Sequence, residues 1–161
     1  MSVECRLAQQ GEQQRGFRFQ SKDKSHEQHD FFNLPVRDLK KSTAFYTAVG
    51  GTINPQFSDD TASCMVLSDN FLVMLLTHEK WATFTRKPIV DAHRESEVTL
   101  GLSADDKSAV DKMATAAGAN GGRTDVSSKQ DLGFMYARTF EDVDGHVWQA
   151  TFMDMSQFPK C

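Results

Sequence analysis

The feature that most constrains the fold of this chain is a tandem repeat, in which a strand, a helix and further strands recur in the same order. Alternating apolar residues begin each half, at 32–36 and again 66 positions later at 98–102. A helical pattern follows each segment and ends in a glycine, as TAVG at 47–50 and TAAG at 115–118. Because order, length and turn chemistry agree, we predict an α+β fold of two βαβββ modules, not one irregular sheet.

Helix boundaries are marked in both halves by residues that suit helix ends. Asp38 is a good N-cap for the first helix, and Gly50 and Gly51 stop it. Asp105 and Asp106 begin the second helix in the same way. Alternation and turn residues predict strands at 31–36, 52–57, 63–67, 71–76, 97–103, 123–126, 134–140 and 146–153.

These elements divide the chain into a polar tail, two modules and a connector. Residues 1–30 are rich in glutamine and charge and have too little apolar surface to offset the entropy cost of folding, so we expect a flexible tail. Module one covers 31–76, the connector 77–95 and module two 96–154, and 155–161 form a C-terminal tail.

Composition excludes several classes of function. The 18 Lys and Arg against 22 Asp and Glu give a net charge of −4, which does not supply the basic surface that nucleic-acid binding needs. The longest apolar run, at 71–76, is too short to cross a membrane. The tail carries no signal-peptide pattern and the three cysteines form no disulfide framework. We therefore expect a cytoplasmic protein without nucleic-acid or membrane partners.

Two segments carry a family resemblance. LPVRDLKKSTAFYTAVGG at 34–51 and FEDVDGHVWQATF at 140–152 resemble the glyoxalase/bleomycin-resistance/extradiol-dioxygenase proteins, the vicinal oxygen chelate superfamily. The resemblance covers about residues 31–154. The two motifs are specific in combination, and each is weak alone. It implies a lactoylglutathione lyase-like member, with two βαβββ modules curling a mixed sheet around a cavity, helices outside and a homodimer. The superfamily includes metal-dependent enzymes and metal-free drug-binding proteins, so the resemblance does not by itself assign a function.

Strand alternation, together with this resemblance, predicts which side chains face the cavity. Alternate residues of a strand point to opposite faces, and the apolar set packs on the helices. The expected ligand-binding residues are Phe31, Asn33, Met74, Thr99, Gln149 and Thr151, together with Glu97. A pocket that is half apolar and half polar suits a small amphiphilic molecule.

The resemblance also predicts where a metal would be held, at Phe31, Met74, Glu97 and Gln149. Phenylalanine cannot ligate a metal, and a thioether is a poor ligand for Mg²⁺, Mn²⁺ or Zn²⁺. Only Glu97 and Gln149 supply oxygen atoms, which is fewer ligands than a catalytic zinc ordinarily has. We therefore expect no resident cofactor, or at most a weakly bound divalent metal at an incomplete site.

Three other residues bear on chemistry. Glu97 is the candidate catalytic base, because desolvation in a half-apolar pocket would favour its neutral form. Arg138 is a candidate for binding a carboxylate or phosphate if its strand face is inward. His146 is expected to cap the Asp-Gly turn, pointing away from Gln149.

Three functions remain open at this stage. The first is binding of a small organic molecule with lyase- or isomerase-like chemistry centred on Glu97. The second is metal-free binding of a small molecule or drug, without catalysis, as in bleomycin-resistance proteins. The third is a scaffold whose polar tail recruits another protein, for which Phe17, Arg18 and Phe19 offer an aromatic and basic cluster.

Overall fold

The computed structural model describes residues 30–157 of the chain, so the predicted tail, apart from Asp30, and residues 158–161 lie outside the described part. The first half has the predicted order of elements. They are β1 (Asp30–Val36), α1 (Leu39–Ala48), β2 (Thr52–Asn54), β3 (Ala62–Ser68) and β4 (Phe71–Thr77). The connector that follows contains a short helix, α2 (His78–Trp81).

The second half repeats this order with one additional short strand. Its elements are β5 (Thr99–Ser103), α3 (Lys107–Ala119), β6 (Arg123–Thr124), β7 (Gln130–Asp131), β8 (Met135–Glu141) and β9 (Val147–Met153). The helix N-caps are as predicted: the Asp38 side chain accepts a hydrogen bond from the Lys41 amide, and Asp106 from the Ala109 amide.

Each half forms its own mixed sheet. The strand orders are β1-β4-β3-β2 and β5-β9-β8-β6, with β7 paired to β8. In both sheets the first and last strands of the half pair in parallel, and the remaining pairs are antiparallel. The predicted α+β fold of two βαβββ modules is confirmed. Among residues 30–157, no helix has the length and apolar character needed to cross a membrane.

Three predicted strands are at least two residues shorter than expected, and the one predicted at 123–126 ends at Thr124. The strand predicted at 52–57 ends at Asn54, and Pro55–Phe57 form a 3₁₀ turn. Proline supplies no amide hydrogen for a sheet ladder, and the Asn54 side chain caps the turn by accepting from the Gln56 amide. The strand predicted at 97–103 begins only at Thr99, so Glu97 belongs to the connector.

The two halves share one apolar core. Leu34, Val36, Val73 and Leu75 come from the first sheet, and Leu100, Phe140, Trp148 and Ala150 come from the second. Helices α1 and α3 contribute Phe45, Tyr46, Val110 and Ala117. In the described part, the two modules are therefore held together by a common apolar core, in which the Trp148 side chain is fully buried.

A buried polar network crosses the same boundary. The Tyr46 hydroxyl donates to Asp142 Oδ2 over 2.6 Å and accepts from Trp148 Nε1 over 3.0 Å. Nearby, Asp144 accepts from the Ser42 hydroxyl over 2.6 Å and from the Arg37 amide over 2.8 Å. The turn before β9 is thus hydrogen-bonded to α1 and the segment just before it.

Arg138 has a structural environment that differs from the predicted one. It pairs in register with core-facing Ala150, so it lies on the helix side of its sheet, not on the inward face. Its guanidinium contacts both carboxylate oxygens of Asp125, at 2.9 and 2.8 Å, and Asp111 Oδ1 at 2.9 Å. Ligand binding by Arg138 was expected only if its strand face is inward, and this condition is not met, because the guanidinium is paired with Asp111 and Asp125.

We predict that Tyr46→Phe destabilises the protein by about 2 kcal/mol, because Asp142 and Trp148 each lose a buried hydrogen-bond partner. Urea unfolding, followed by circular dichroism, measures the change. Tyr136→Phe is the matched control, since the Tyr136 hydroxyl donates to the half-exposed Asp111. An equal loss of stability in the two variants would contradict a special role for the buried network.

The Arg138 ion pairs predict a pH-dependent change in stability. Hydrogen bonds from Arg138 hold the pKa of Asp125 below its ordinary value, and those from Tyr136 and Arg138 do so for Asp111. A carboxyl with a lowered pKa in the folded state stabilises above its unfolded pKa of about 4 and loses that contribution as pH falls through the folded value.

Arg138→Met therefore costs about 2 kcal/mol at pH 7, a figure that allows for partly exposed partners. The difference in free energy of unfolding between wild type and variant becomes smaller as pH falls below about 4, because the Asp111 and Asp125 carboxyls then gain protons. Urea unfolding at several pH values measures it. Arg94→Met, at an exposed arginine, is the control with no such dependence. A gap that stays constant down to pH 3 would contradict the assignment.

Candidate functional site

A cavity of about 480 Å³ lies where the two modules meet the connector, and we call it the cleft. Its walls come from β1, α2, the connector at 84–98, Leu100 of β5 and the residues around the start of β9. Most of the lining is apolar. The large apolar side chains that line it are Trp81, Phe84, Ile89, Val90, Val98 and Val147.

A few polar side chains line the cleft among these apolar groups. They are Asn33 from β1, Lys87, Glu95, Ser96 and Glu97 from the connector, and His146 from the turn before β9. An apolar cavity with a small number of polar groups is typical of sites for small organic ligands, and its volume lies within the usual range of about 300–1,000 Å³.

A smaller cavity of about 200 Å³ adjoins the cleft and shares some of its lining, including Pro35 and His146. Its other side chains are mostly charged or polar and include Arg37, His78, Asp91 and Asp144. Arg37 Nη2 and Asp91 Oδ1 are 3.2 Å apart and both side chains are exposed, so this ion pair is screened by solvent.

Gly145 allows the connector to approach the turn before β9. Its φ is +98°, in the region that favours glycine. A Cβ atom at this position would lie 2.5 Å from the His93 backbone nitrogen and 2.7 Å from the Ala92 carbonyl carbon. No side chain fits there without moving the connector backbone, so this glycine keeps the connector wall of the cleft beside His146.

Asp142 is a fully buried carboxylate next to the cleft. Its Oδ1 accepts from the backbone amides of Asp144 and His146, each over 2.9 Å. Its Oδ2 is 2.6 Å from the Tyr46 hydroxyl and 2.9 Å from His146 Nδ1. Burial alone would raise the pKa of Asp142, but hydrogen bonds from His146 and Tyr46 and the attraction of His146 outweigh it, so the pKa is lowered.

Tyr46 is the neutral member of this network. Burial and the neighbouring Asp142 charge raise the pKa of Tyr46 well above its ordinary value. The hydroxyl therefore keeps its proton and directs it at Asp142, while Trp148 donates to the hydroxyl oxygen. The hydrogen bonds from Tyr46 and His146 to the Asp142 carboxylate both favour its ionised form.

His146 joins this network to the cleft. An ionised carboxylate only accepts hydrogen bonds, so the short contact with Asp142 places a proton on His146 Nδ1. The imidazole lines both cavities, and its side chain is 14% exposed. Within residues 30–157, Nε2 has no hydrogen-bond partner in the protein. In the neutral ring, Nε2 carries a free lone pair.

The structure brings two of the predicted site residues to the cleft, Asn33 and Glu97. Glu97 is exposed in the connector, two residues before β5, so it lacks the desolvated strand position predicted for it. The proposed role of Glu97 as a base activated by burial is therefore corrected. Its carboxylate remains available as a polar group at the cleft wall.

The other predicted residues do not line the cleft. Met74 pairs in register with Asn33 and alternates with core residues Val73 and Leu75, so it lies on the face of the first sheet away from the core. Gln149 and Thr151 alternate with Trp148 and Ala150 on the second sheet in the same way. Phe31, at 54% exposure, and Thr99 are exposed.

The residues at the four predicted metal positions do not fit a metal centre. Phe31 has no donor atom and Met74 offers only a soft sulfur atom. Met74 belongs to the first sheet, Gln149 to the second and Glu97 to the connector. Within residues 30–157, no group of three or more His, Cys, Asp or Glu side chains is arranged to hold a metal ion.

Sequence reasoning missed the connector wall and His146. The connector has no hydrophobic periodicity, so nothing in its pattern assigns Trp81 or Phe84 to a cavity. Val98 was expected to pack on the helices with the apolar set of its strand, but it lies before β5, is 57% exposed and lines the cleft. His146 was expected to cap its turn, and its amide does donate within the turn, to Asp142. The available signal was its position four residues after Asp142, which allows a carboxylate–imidazole contact across the turn.

Comparison with known proteins supports this architecture. Residues 30–68 match the family model described as bleomycin resistance protein-like N-terminal. No curated protein matches the chain.

Solved structures share the fold. The hypothetical protein SA1046 from S. aureus is 26% identical, with a TM-score of 0.66 over 80% of this chain and 96% of that one. A glyoxalase/bleomycin resistance protein/dioxygenase family enzyme from Burkholderia phytofirmans PsJN is 19% identical, with a TM-score of 0.62 over 76% and 96%.

A third structure is the bleomycin resistance determinant encoded on transposon Tn5. It is 19% identical, with a TM-score of 0.56 over 80% of this chain and 100% of that one. The family match covers much of the first module, and these structures show that the chain shares the fold of glyoxalase/bleomycin resistance proteins.

Proposed function

We propose that this protein binds a small amphiphilic organic molecule in the cleft. The observation that carries the proposal is the cavity of about 480 Å³, which is largely apolar and has a few polar side chains at its wall. Burying an apolar body against Trp81 and Val98 supplies affinity, while Asn33 and His146 orient its polar end.

The donor set at the predicted metal positions favours metal-free binding over the metal-centred chemistry implied by a lactoylglutathione lyase-like assignment. Lyase- or isomerase-like proton transfer is the second candidate function. The observation that favours it is the Asp142–His146 contact beside the cleft, not Glu97.

Binding in the cleft is tested with the amphiphilic dye 1-anilinonaphthalene-8-sulfonate. We predict that Val98→Asp weakens dye binding at least tenfold, to about one tenth of the wild-type affinity or less, because a charge replaces an apolar wall contact. Titration of dye fluorescence measures the affinity, and native mass spectrometry measures the stoichiometry.

Leu132→Asp is the matched control for Val98→Asp. The two residues are 60% and 57% exposed respectively, and Leu132 does not line the cleft. The affinity of the control for the dye should lie within about twofold of the wild-type value, since substitutions at exposed positions away from the cleft have small effects. Equal dye affinity in Val98→Asp and wild type would show that the dye binds elsewhere and would contradict the proposal.

We also propose that the protein is a homodimer that pairs through its sheet faces. Support comes from large apolar residues that remain exposed on strands of both sheets, among them Phe31 on β1 and Met153 on β9. Light scattering after size exclusion should give twice the 18.0 kDa chain mass. Phe31→Asp combined with Met153→Asp should shift the mass toward the monomer. A wild-type monomer at high concentration would overturn the proposal.

A further inference from the structure

We propose that His146 is a catalytic residue of the cleft, which accepts a proton from the bound molecule at Nε2, and that Asp142 is its positioning residue. The inference rests on the proposed binding of a small molecule in the cleft. It deepens the second candidate function, proton transfer, by taking carbon as the proton donor and assigning the base to a residue outside the predicted set.

The first step of the argument is the location of the imidazole. The ring lines the cleft and the adjoining cavity, so a molecule in either contacts it. Nδ1 is held by Asp142 over 2.9 Å, which leaves Nε2, across the ring, as the nitrogen without a protein partner among the described residues. A base must expose its lone pair to the bound molecule, and Nε2 satisfies this requirement.

The second step is the rigidity of the contact. Asp142 accepts two hydrogen bonds at each carboxylate oxygen, from Tyr46, from the Asp144 amide and from both the amide and Nδ1 of His146. The carboxylate cannot rotate without breaking several of them inside a fully buried site. Asp142 therefore fixes both the tautomer and the orientation of the imidazole. A catalytic histidine requires a neighbouring group that orients it in this way.

The third step is the chemistry. A C–H proton next to a carbonyl moves to Nε2, and its electron pair becomes the enolate π system. The imidazolium that forms is stabilised by the Asp142 carboxylate. Returning the same proton to another atom of the ligand completes an isomerisation and needs no other reactant. Asn33 and Lys87 line the same cavity and supply N–H donors for the carbonyl oxygen.

The test uses 5-nitrobenzisoxazole, an apolar aromatic carbon acid. Removal of its C3 proton by Nε2 turns the C3–N bond into a nitrile and breaks the N–O bond, giving 2-cyano-4-nitrophenolate, whose absorbance is followed. The imidazolium then returns the proton to water. The base should accelerate this reaction about 100-fold over the variant lacking it.

His146→Asn is the decisive variant, because its side-chain amide can still donate to Asp142 while offering no basic nitrogen. The rate should fall about 100-fold, to the level without a catalytic base. His93→Asn is the matched control at an exposed histidine that does not line the cleft, and it should keep the wild-type rate. A His146→Asn protein that retains the wild-type rate overturns the proposal, as does a loss found in Glu97→Gln instead.

Asp142 is tested by kinetics and by the tautomer it imposes. Asp142→Asn should lower kcat while KM changes less than about twofold, since binding does not use this buried group. In wild type, two-bond ¹⁵N–¹H correlation should show His146 protonated at Nδ1 and unprotonated at Nε2, and this measurement does not depend on how stable the variant is. A ring protonated at Nε2 alone overturns the assignment.

Failure of this proposal is distinguishable from failure of the proposed function. His146→Asn should weaken binding of the anilinonaphthalene dye much less than Val98→Asp does, because the apolar wall supplies most of the affinity. Dye binding at the cleft without His146-dependent proton transfer refutes the catalytic role alone. If Val98→Asp binds the dye as tightly as wild type does, the proposed binding site is refuted and this proposal fails with it.

Discussion

The structure depends on one buried carboxylate, Asp142, and on the groups that keep it ionised. A charge in a protein interior is costly unless its hydrogen-bonding capacity is filled, and removing a partner leaves an uncompensated group. Here the partners come from both modules: Tyr46 from α1, and backbone and imidazole groups from the turn before β9. Ionisation of Asp142 therefore favours one relative position of the modules, that in which Tyr46 reaches the turn.

This network also explains how a common fold acquires a particular site. The shared core fixes the two sheets, but apolar packing has little directional preference. The hydrogen bonds to Asp142 and Asp144 are directional, and they set the turn that carries His146. Gly145 then lets the connector backbone lie against that turn. The cleft is the space left between a precisely held turn and a connector that could not approach it if position 145 had a Cβ.

Much of the fold could be predicted from the sequence because it rests on local regularities. The repeat gave the order of elements, Asp38 and Asp106 marked helix starts, and alternation placed Leu34 and Val36 in the core. The site was less accessible. Glu97 was assigned to β5 by continuing its alternation too far, and Arg138 could not be oriented because its face depends on the distant carboxylates of Asp111 and Asp125. The connector has no periodicity from which its contacts could be inferred.

The same contrast bears on how function changes on this fold. Sheet and core positions follow a pattern that both modules repeat, whereas the cleft also uses connector residues without counterparts in the repeat, such as Trp81 and Phe84. The side chains at the four predicted metal positions do not supply a ligand set, yet the βαβββ pairing is intact. Met74 and Gln149 alternate with core residues and do not form the core, and Glu97 lies outside the strands. Core packing constrains one face of each strand and leaves the other free to change. Polar groups at the module boundary can therefore assume a chemical role without altering the scaffold, and the Asp142–His146 contact has that position.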